Sequence, residues 1–308
     1  MTIRNASRVR EGMPTRIKPT RQMRPFKDLI VDGQKDRESK EKANRTPSVY
    51  LFGRPHDWSG EEKTLALAPF FKNKEITTLF APIPSRSNAK IAEVSEFKES
   101  NKESKPSSKK SFVLRGGVEA DGVVLTEKGQ ACIIKSADCP TIVAFTLSSE
   151  GRKCVVAHAS RDSLIDSHYI RGFGKSRKNR SVVDSVMDQF SPTEREELYV
   201  YVTVGIGARH FSHSINHSTC GTQNRELMEF IHEQFGSHCY HGPRSDGRIS
   251  LGEIIRAQFE PYRDTSCIMI LSDRGDTHED SLAGQGTGYR WWSHRRGDKA
   301  RNAVIVAF

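Results

Sequence analysis

Apolar residues along this chain fall into short runs separated by turn residues. Residues 122–126, 130–135, 141–147 and 154–158 each have the length of a strand and are bounded by Gly, Pro, Asp or Ser. That pattern predicts four strands in quick succession, and as chain neighbours they are expected to form one sheet. Further along the period changes. Val182, Val183, Val186, Met187 and Phe190 recur at helical spacing, as do Leu227, Phe230, Ile231 and Phe235, and again Leu251, Ile254, Ile255 and Phe259. Each set predicts an amphipathic helix. Strands are expected again at 198–204, 267–271 and 302–308. Strands bunched first, with helices between later strands, predict an α/β or α+β layered fold, a single domain covering residues 49–308.

Two polar stretches fall outside this pattern. Residues 1–48 hold 13 Lys and Arg against 6 Asp and Glu, +7 of the chain's total of +10, and have almost no apolar periodicity. They read as a basic, disordered tail able to recruit an acidic partner, with a targeting or nucleic-acid arm as the rival reading. Residues 96–110 have almost nothing to bury and read as a mobile loop inside the domain.

Composition narrows the class. The chain has 308 residues, 35% of them hydrophobic, and its richest apolar window, residues 131–146, is broken by Lys135, Ser136 and Asp138. A membrane helix is therefore not expected. No apolar signal core follows the first Met, so the expected compartment is the cytoplasm, or a host cell for a delivered effector. Six cysteines at irregular spacing, with no Cys-x-x-Cys, read as free thiols.

The chemistry gathers at a few positions. Cys139 follows one strand and His158 ends another, 19 residues on, so a strand, a turn and a strand separate them. Such a pair suits two metal ligands or a nucleophile with its base, and it also suits a buried thiol beside a hydrogen-bonded structural histidine. His210, His213, His217 and Cys220, at spacings of three and four, form a second, weaker metal candidate. Arg295 and Arg296, with Arg301 beyond, are candidate anion holders, because guanidinium forks match phosphate geometry. Residues 284–288, Gly-Gln-Gly-Thr-Gly, lack the Lys-Ser/Thr of a phosphate-binding loop and read as a flexible loop.

Several motifs stand in an order that resembles a known family. Ala120-Asp121-Gly122-Val123-Val124 precedes Ser136-Ala137-Asp138-Cys139, and Ala157-His158-Ala159 follows. Then come Val204-Gly205-Ile206-Gly207, Trp291-Trp292-Ser293-His294-Arg295-Arg296 and Arg301-Asn302-Ala303-Val304-Ile305. Over residues 112–308 these resemble the YfiH-like, or laccase-domain, proteins, whose members act as purine nucleoside phosphorylases. The resemblance implies a mixed β-sheet sandwich flanked by helices. It also implies a zinc ion held by one Cys and two His, which carries two of the ligands onto Cys139 and His158. The third ligand has no match, since residues 57–157 contain no histidine and only His56 lies upstream. The Trp and Arg that follow the family's matching His are replaced by Ser160-Arg161-Asp162-Ser163.

Three functions are expected from this reading. The first is a divergent purine nucleoside phosphorylase-like enzyme, performing metal-assisted phosphorolysis or deamination, with a nucleoside and phosphate as partners and Arg295 or Arg296 on the anion. The second takes the fold's resemblance to the catalytic domain of cytotoxic necrotizing factor toxins. There a metal-free Cys and His deamidate glutamine in a protein substrate, which points to Cys139 as nucleophile and His158 as its partner. The third is a binding protein that keeps the fold without the chemistry.

Overall fold

The computed structural model describes residues 19–23, 46–72, 74–84, 89–99, 112–146, 152–165, 181–263, 268–281 and 288–308. Two large sheets dominate. The first has seven strands in the order β1 (Arg21–Met23), β2 (Ser48–Phe52), β15 (Asn302–Ala307), β8 (Gln130–Ser136), β3 (Thr78–Phe80), β6 (Val113–Gly116) and β5 (Lys98–Glu99). The second has six, β14 (Ile268–Ser272), β11 (Leu198–Val202), β9 (Thr141–Thr146), β10 (Lys153–His158), β7 (Gly122–Leu125) and β4 (Ile91–Ala92). A short ribbon pairs β12 (Tyr240–His241) with β13 (Arg248–Ile249).

The continuous apolar runs have a simple cause: the central strands are covered on both faces. Along β9, Val143 and Phe145 enter a core between the sheets, shared with Cys132 and Ile134 of β8 and Val304 and Val306 of β15. Ile142 and Ala144 point the other way, into a core closed by the helices Val182–Met187, Gly221–Phe235 and Leu251–Arg263. On the outer face of the larger sheet, Ile133, Ala303 and Ile305 meet Trp58, Leu67 and Phe71. The order is therefore helix, sheet, sheet, helix, a mixed α/β sandwich as the resemblance implies.

Three expectations need adjusting. The four consecutive strands do not share a sheet: β7, β9 and β10 do, whereas β8 crosses to the other, where β15 and β3 flank it. Periodicity reports burial on two faces and is silent on which partner does the burying, so it could not separate β8 from its neighbours. Part of the basic arm is in the fold. Residues 21–23 pair with β2 at the sheet edge, Thr20 accepts from the Gly53 amide at 2.8 Å, and Arg21 meets Asp273 at 2.7 Å. Three residues reading Arg-Gln-Met carry no period, so the strand was invisible in sequence. Finally, the predicted loop 96–110 is in the fold at its start: Glu96 closes a short turn, Phe97 is buried between the sheets, Lys98 and Glu99 form the last strand, and residues 100–110 lie outside the described residues, as do 284–287. Among the described residues no helix is long and apolar enough to cross a membrane.

Candidate active site at one end of the six-stranded sheet

Register alone brings the first candidates together. β10 runs antiparallel to β9 on one side and to β7 on the other, so its C-terminal end lies beside the N-terminal ends of both. His158 is the Cα partner of Thr141, which places it next to the Cys139–Pro140 approach to β9. Ala157 is the partner of Gly122, which sets Asp121 beside His158. Two backbone bonds lock this end: the His158 amide donates to the Asp121 carbonyl at 2.7 Å, and the Ala159 amide to the Pro140 carbonyl at 2.9 Å. A side chain at Gly122 would run into the Val156 carbonyl, so close approach requires glycine there.

The segment carrying Cys139 is fixed from several directions. Asp138 has φ of 85°, a left-handed conformation that costs a non-glycine residue energy and persists only where the surroundings impose it. Its Oδ1 accepts from the Thr277 hydroxyl at 2.8 Å, its Oδ2 from the Arg295 amide at 2.9 Å, and its carbonyl from the Ile206 amide at 2.7 Å. Ser136 Oγ donates to the Cys139 carbonyl at 2.7 Å. Cys139 is partly exposed, whereas Cys132, Cys154 and Cys239 are buried. Burial raises the thiols of these three above the ordinary range, that of Cys239 to about 12.

Asp121 is fully buried, and neither of its carboxyl oxygens has a hydrogen-bond partner among the described residues. Oδ1 stands 3.9 Å from His158 Nδ1, itself buried and without a hydrogen bond. Burial alone would lower the pKa of this imidazole. The negative charge of Cys139 first, its contact with the imidazole, and the nearby Asp121 carboxyl outweigh it and lift the value to about 9. Burial raises the Asp121 carboxyl, and His158 acts on it in the opposite sense. The sequence named Cys139 and His158 and did not single out Asp121; a lone Asp ahead of a strand gains its meaning only from the register with β10.

Of the two candidate anion holders, only Arg295 remains free to act. Both terminal nitrogens of Arg296 are taken: they donate to the carbonyls of Thr277, His278 and Trp291 and to Asp298 Oδ2, and the guanidinium stacks 3.8 Å over Tyr289. It braces the turn before β15. The Arg295 guanidinium lies 5.0 Å over Phe211 and makes no hydrogen bond or ion pair with a described residue. Arg301 bonds the carbonyls of Lys299 and Ala300.

The histidine series does not assemble as a metal site. His210 Nε2 meets Glu279 at 2.6 Å and its ring stacks on His278 at 3.9 Å. His213 is buried edge-on against Phe211, and His217 Nδ1 accepts from the Thr219 and Cys220 amides. Zinc at Cys139 and His158 meets a related difficulty. Among the described residues, the only group of three or more His, Cys, Asp or Glu able to offer ligand atoms within 4.8 Å of one another is His210, Asp276 and Glu279. Cys139 and His158 are not in it. His56 turns its ring edge toward Trp58 at 5.8 Å, and His168 lies outside the described residues. The described donor set thus provides two ligands, short of the three that a catalytic zinc site uses. A cavity of about 580 Å³ also exists, but it opens on the larger sheet, lined by residues such as Thr64, Ile83, Ile133 and Lys135, and includes none of the residues above.

No protein-family model and no curated protein matches this chain by sequence. Solved structures do. The chain is similar to the Neisseria meningitidis protein NMB0706, of family DUF152, at 14% identity and a TM-score of 0.53, covering 85% of this chain and 93% of that one. It is equally similar to the hypothetical protein YfiH of Bacillus licheniformis, at 12% identity and a TM-score of 0.53, covering 87% and 94%. This chain therefore has the YfiH-like fold.

Proposed function

We propose that this chain is a metal-independent thiol enzyme that hydrolyses a carboxamide, with Cys139 as nucleophile, His158 as proton carrier and Asp121 as the group that orients the imidazole. The observation that carries the reading is the buried Asp121 carboxyl facing Nδ1 of His158, while the same imidazole interacts with Cys139. A nucleophile, its base and an orienting acid make up the recurring arrangement for acyl transfer. An imidazolium stabilises a neighbouring thiolate, and a pKa near 9 keeps His158 protonated at neutral pH.

The chemistry follows from those positions. The Cys139 sulfur adds to the carboxamide carbon. His158 gives its proton to the departing nitrogen, and ammonia leaves as a thioester forms on Cys139. His158, now neutral, takes a proton from water as the water attacks the thioester, which releases the carboxylic acid and restores the thiolate–imidazolium pair. Glutamine deamidation in a protein is the reaction of this class that the resemblance to the cytotoxic necrotizing factor catalytic domain implies.

The test is the rate at which iodoacetamide labels Cys139, followed by mass spectrometry. Fast labelling without a chelator, slowed by His158→Ala and by Asp121→Asn, is the expected result. Labelling that accelerates only after a chelator is added, together with phosphate-dependent release of base from inosine, would replace this reading by the zinc-assisted nucleoside reaction.

A further inference from the structure

Three side chains near Cys139 have no role in the thiol chemistry, and they share a feature. Arg295 is tethered by its amide to Asp138, the residue before Cys139, and its guanidinium lies over Phe211 with no hydrogen-bonded partner among the described residues. Phe211 in turn meets His213 edge-on at 4.7 Å, and His213 Nε2 is buried with no hydrogen-bond partner among the described residues. Arg161 stands three residues after His158 at the start of a short helix. Ser160 Oγ accepts from the Ser163 amide and Ser163 Oγ from the Ser160 amide, so the position of Arg161 next to the end of β10 is fixed. The only described side-chain partner of Arg161 is its own neighbour Asp162. Arg161 and Arg295 act electrostatically on each other and on His213, and Arg295 acts on Cys139.

The Arg161 and Arg295 charges oppose each other, and a buried imidazole nitrogen without a partner is costly. An anion between them would remove both penalties. Arg295 offers a donor fork, Arg161 the N–H groups that Asp162 leaves unused, and a neutral imidazole still has one N–H to give. We infer that the substrate carries an anionic group, carboxylate or phosphoryl, held by Arg161, Arg295 and His213 beside the carbonyl that Cys139 attacks. This rests on Cys139 being the nucleophile, and it names the substrate class: an amide with a negative charge a few bonds away, on a protein side chain or on a small acid.

Paired alkylating reagents test it on the whole chain. Iodoacetate carries the negative charge and iodoacetamide does not, and both report on the same thiol. Relative to glutathione as reference thiol, the iodoacetate-to-iodoacetamide rate ratio at Cys139 is expected to be raised about tenfold and to collapse at high salt. Arg295→Gln and Arg161→Gln should each remove most of that preference, with Arg295→Lys and Arg161→Lys retaining part of it. Melting curves confirm that each variant is folded. Against iodoacetate, protection by inorganic phosphate assigns a phosphoryl group and protection by glutarate a carboxylate. A ratio equal to that of glutathione, or no protection by either anion, would overturn the subsite while leaving Cys139 a nucleophile. Slow labelling by both reagents would instead remove the thiol reading, and this inference with it.

Discussion

His158 and His213 are both buried, both within the electrostatic reach of the segment around Cys139 and Arg295, and both would lose their protons if burial were all that acted. Yet the first is raised to about 9 and the second lowered to about 3. Cys139 and Asp121 supply negative charge to His158, and Arg161 and Arg295 add positive charge against His213. Different charged neighbours leave one histidine an imidazolium and the other a neutral imidazole, so that a proton donor for a leaving group and an N–H donor for an anion can coexist at the same pH.

That contrast can be attacked directly. Because the Cys139 charge is the strongest influence raising His158, Cys139→Ala should abolish turnover and bring the His158 pKa down by more than one unit, read by NMR titration. Asp121→Asn should lower the same pKa by less and slow labelling of Cys139 about tenfold to a hundredfold; an unchanged titration would show that the carboxyl does not face the ring as described.

Stability against pH should show both signs. The folded pKa of His158 is above its unfolded value of 6.5, so its contribution is complete below pH 6.5 and is lost as the pH rises through about 9. His213 is the reverse: the unfolded chain takes up a proton below pH 6.5 that the folded chain refuses down to about pH 3. Acidification across that interval should therefore cost up to a few kcal/mol, and His213→Gln should flatten that limb of the profile alone. Measured by denaturant unfolding, the contribution of the two histidines should be greatest near pH 6.5. A change remote from both is the control. Arg21→Ala removes an ion pair whose arginine is 42% exposed, and should shift stability by less than about 1 kcal/mol with both histidine titrations unmoved.

The legibility of these features in the sequence followed their physical origin. Strands buried on two faces and helices with one apolar face announce themselves by period, so nearly every long element was readable, along with Cys139 and His158 at strand ends. Asp121, Arg161 and the partnering of His213 depend on which strand lies beside which, and on loops meeting across 139 residues of chain, as Thr277 and Asp138 do. No local pattern encodes that. The bracing role of Arg296 is hidden for the same reason: an arginine bound to three carbonyls and one presented to solvent look identical in a string of letters.

The position of β15 bears on how this protein is made. The strand formed by residues 302–307 lies between β2 and β8, in the interior of the seven-stranded sheet. During translation, β2 and β8 leave the ribosome long before the strand that must join them, so the larger sheet cannot close until that strand has emerged. The strand edges that β15 covers therefore stay open while the 165 residues between β8 and β15, 137–301, are made, an interval in which they can pair wrongly.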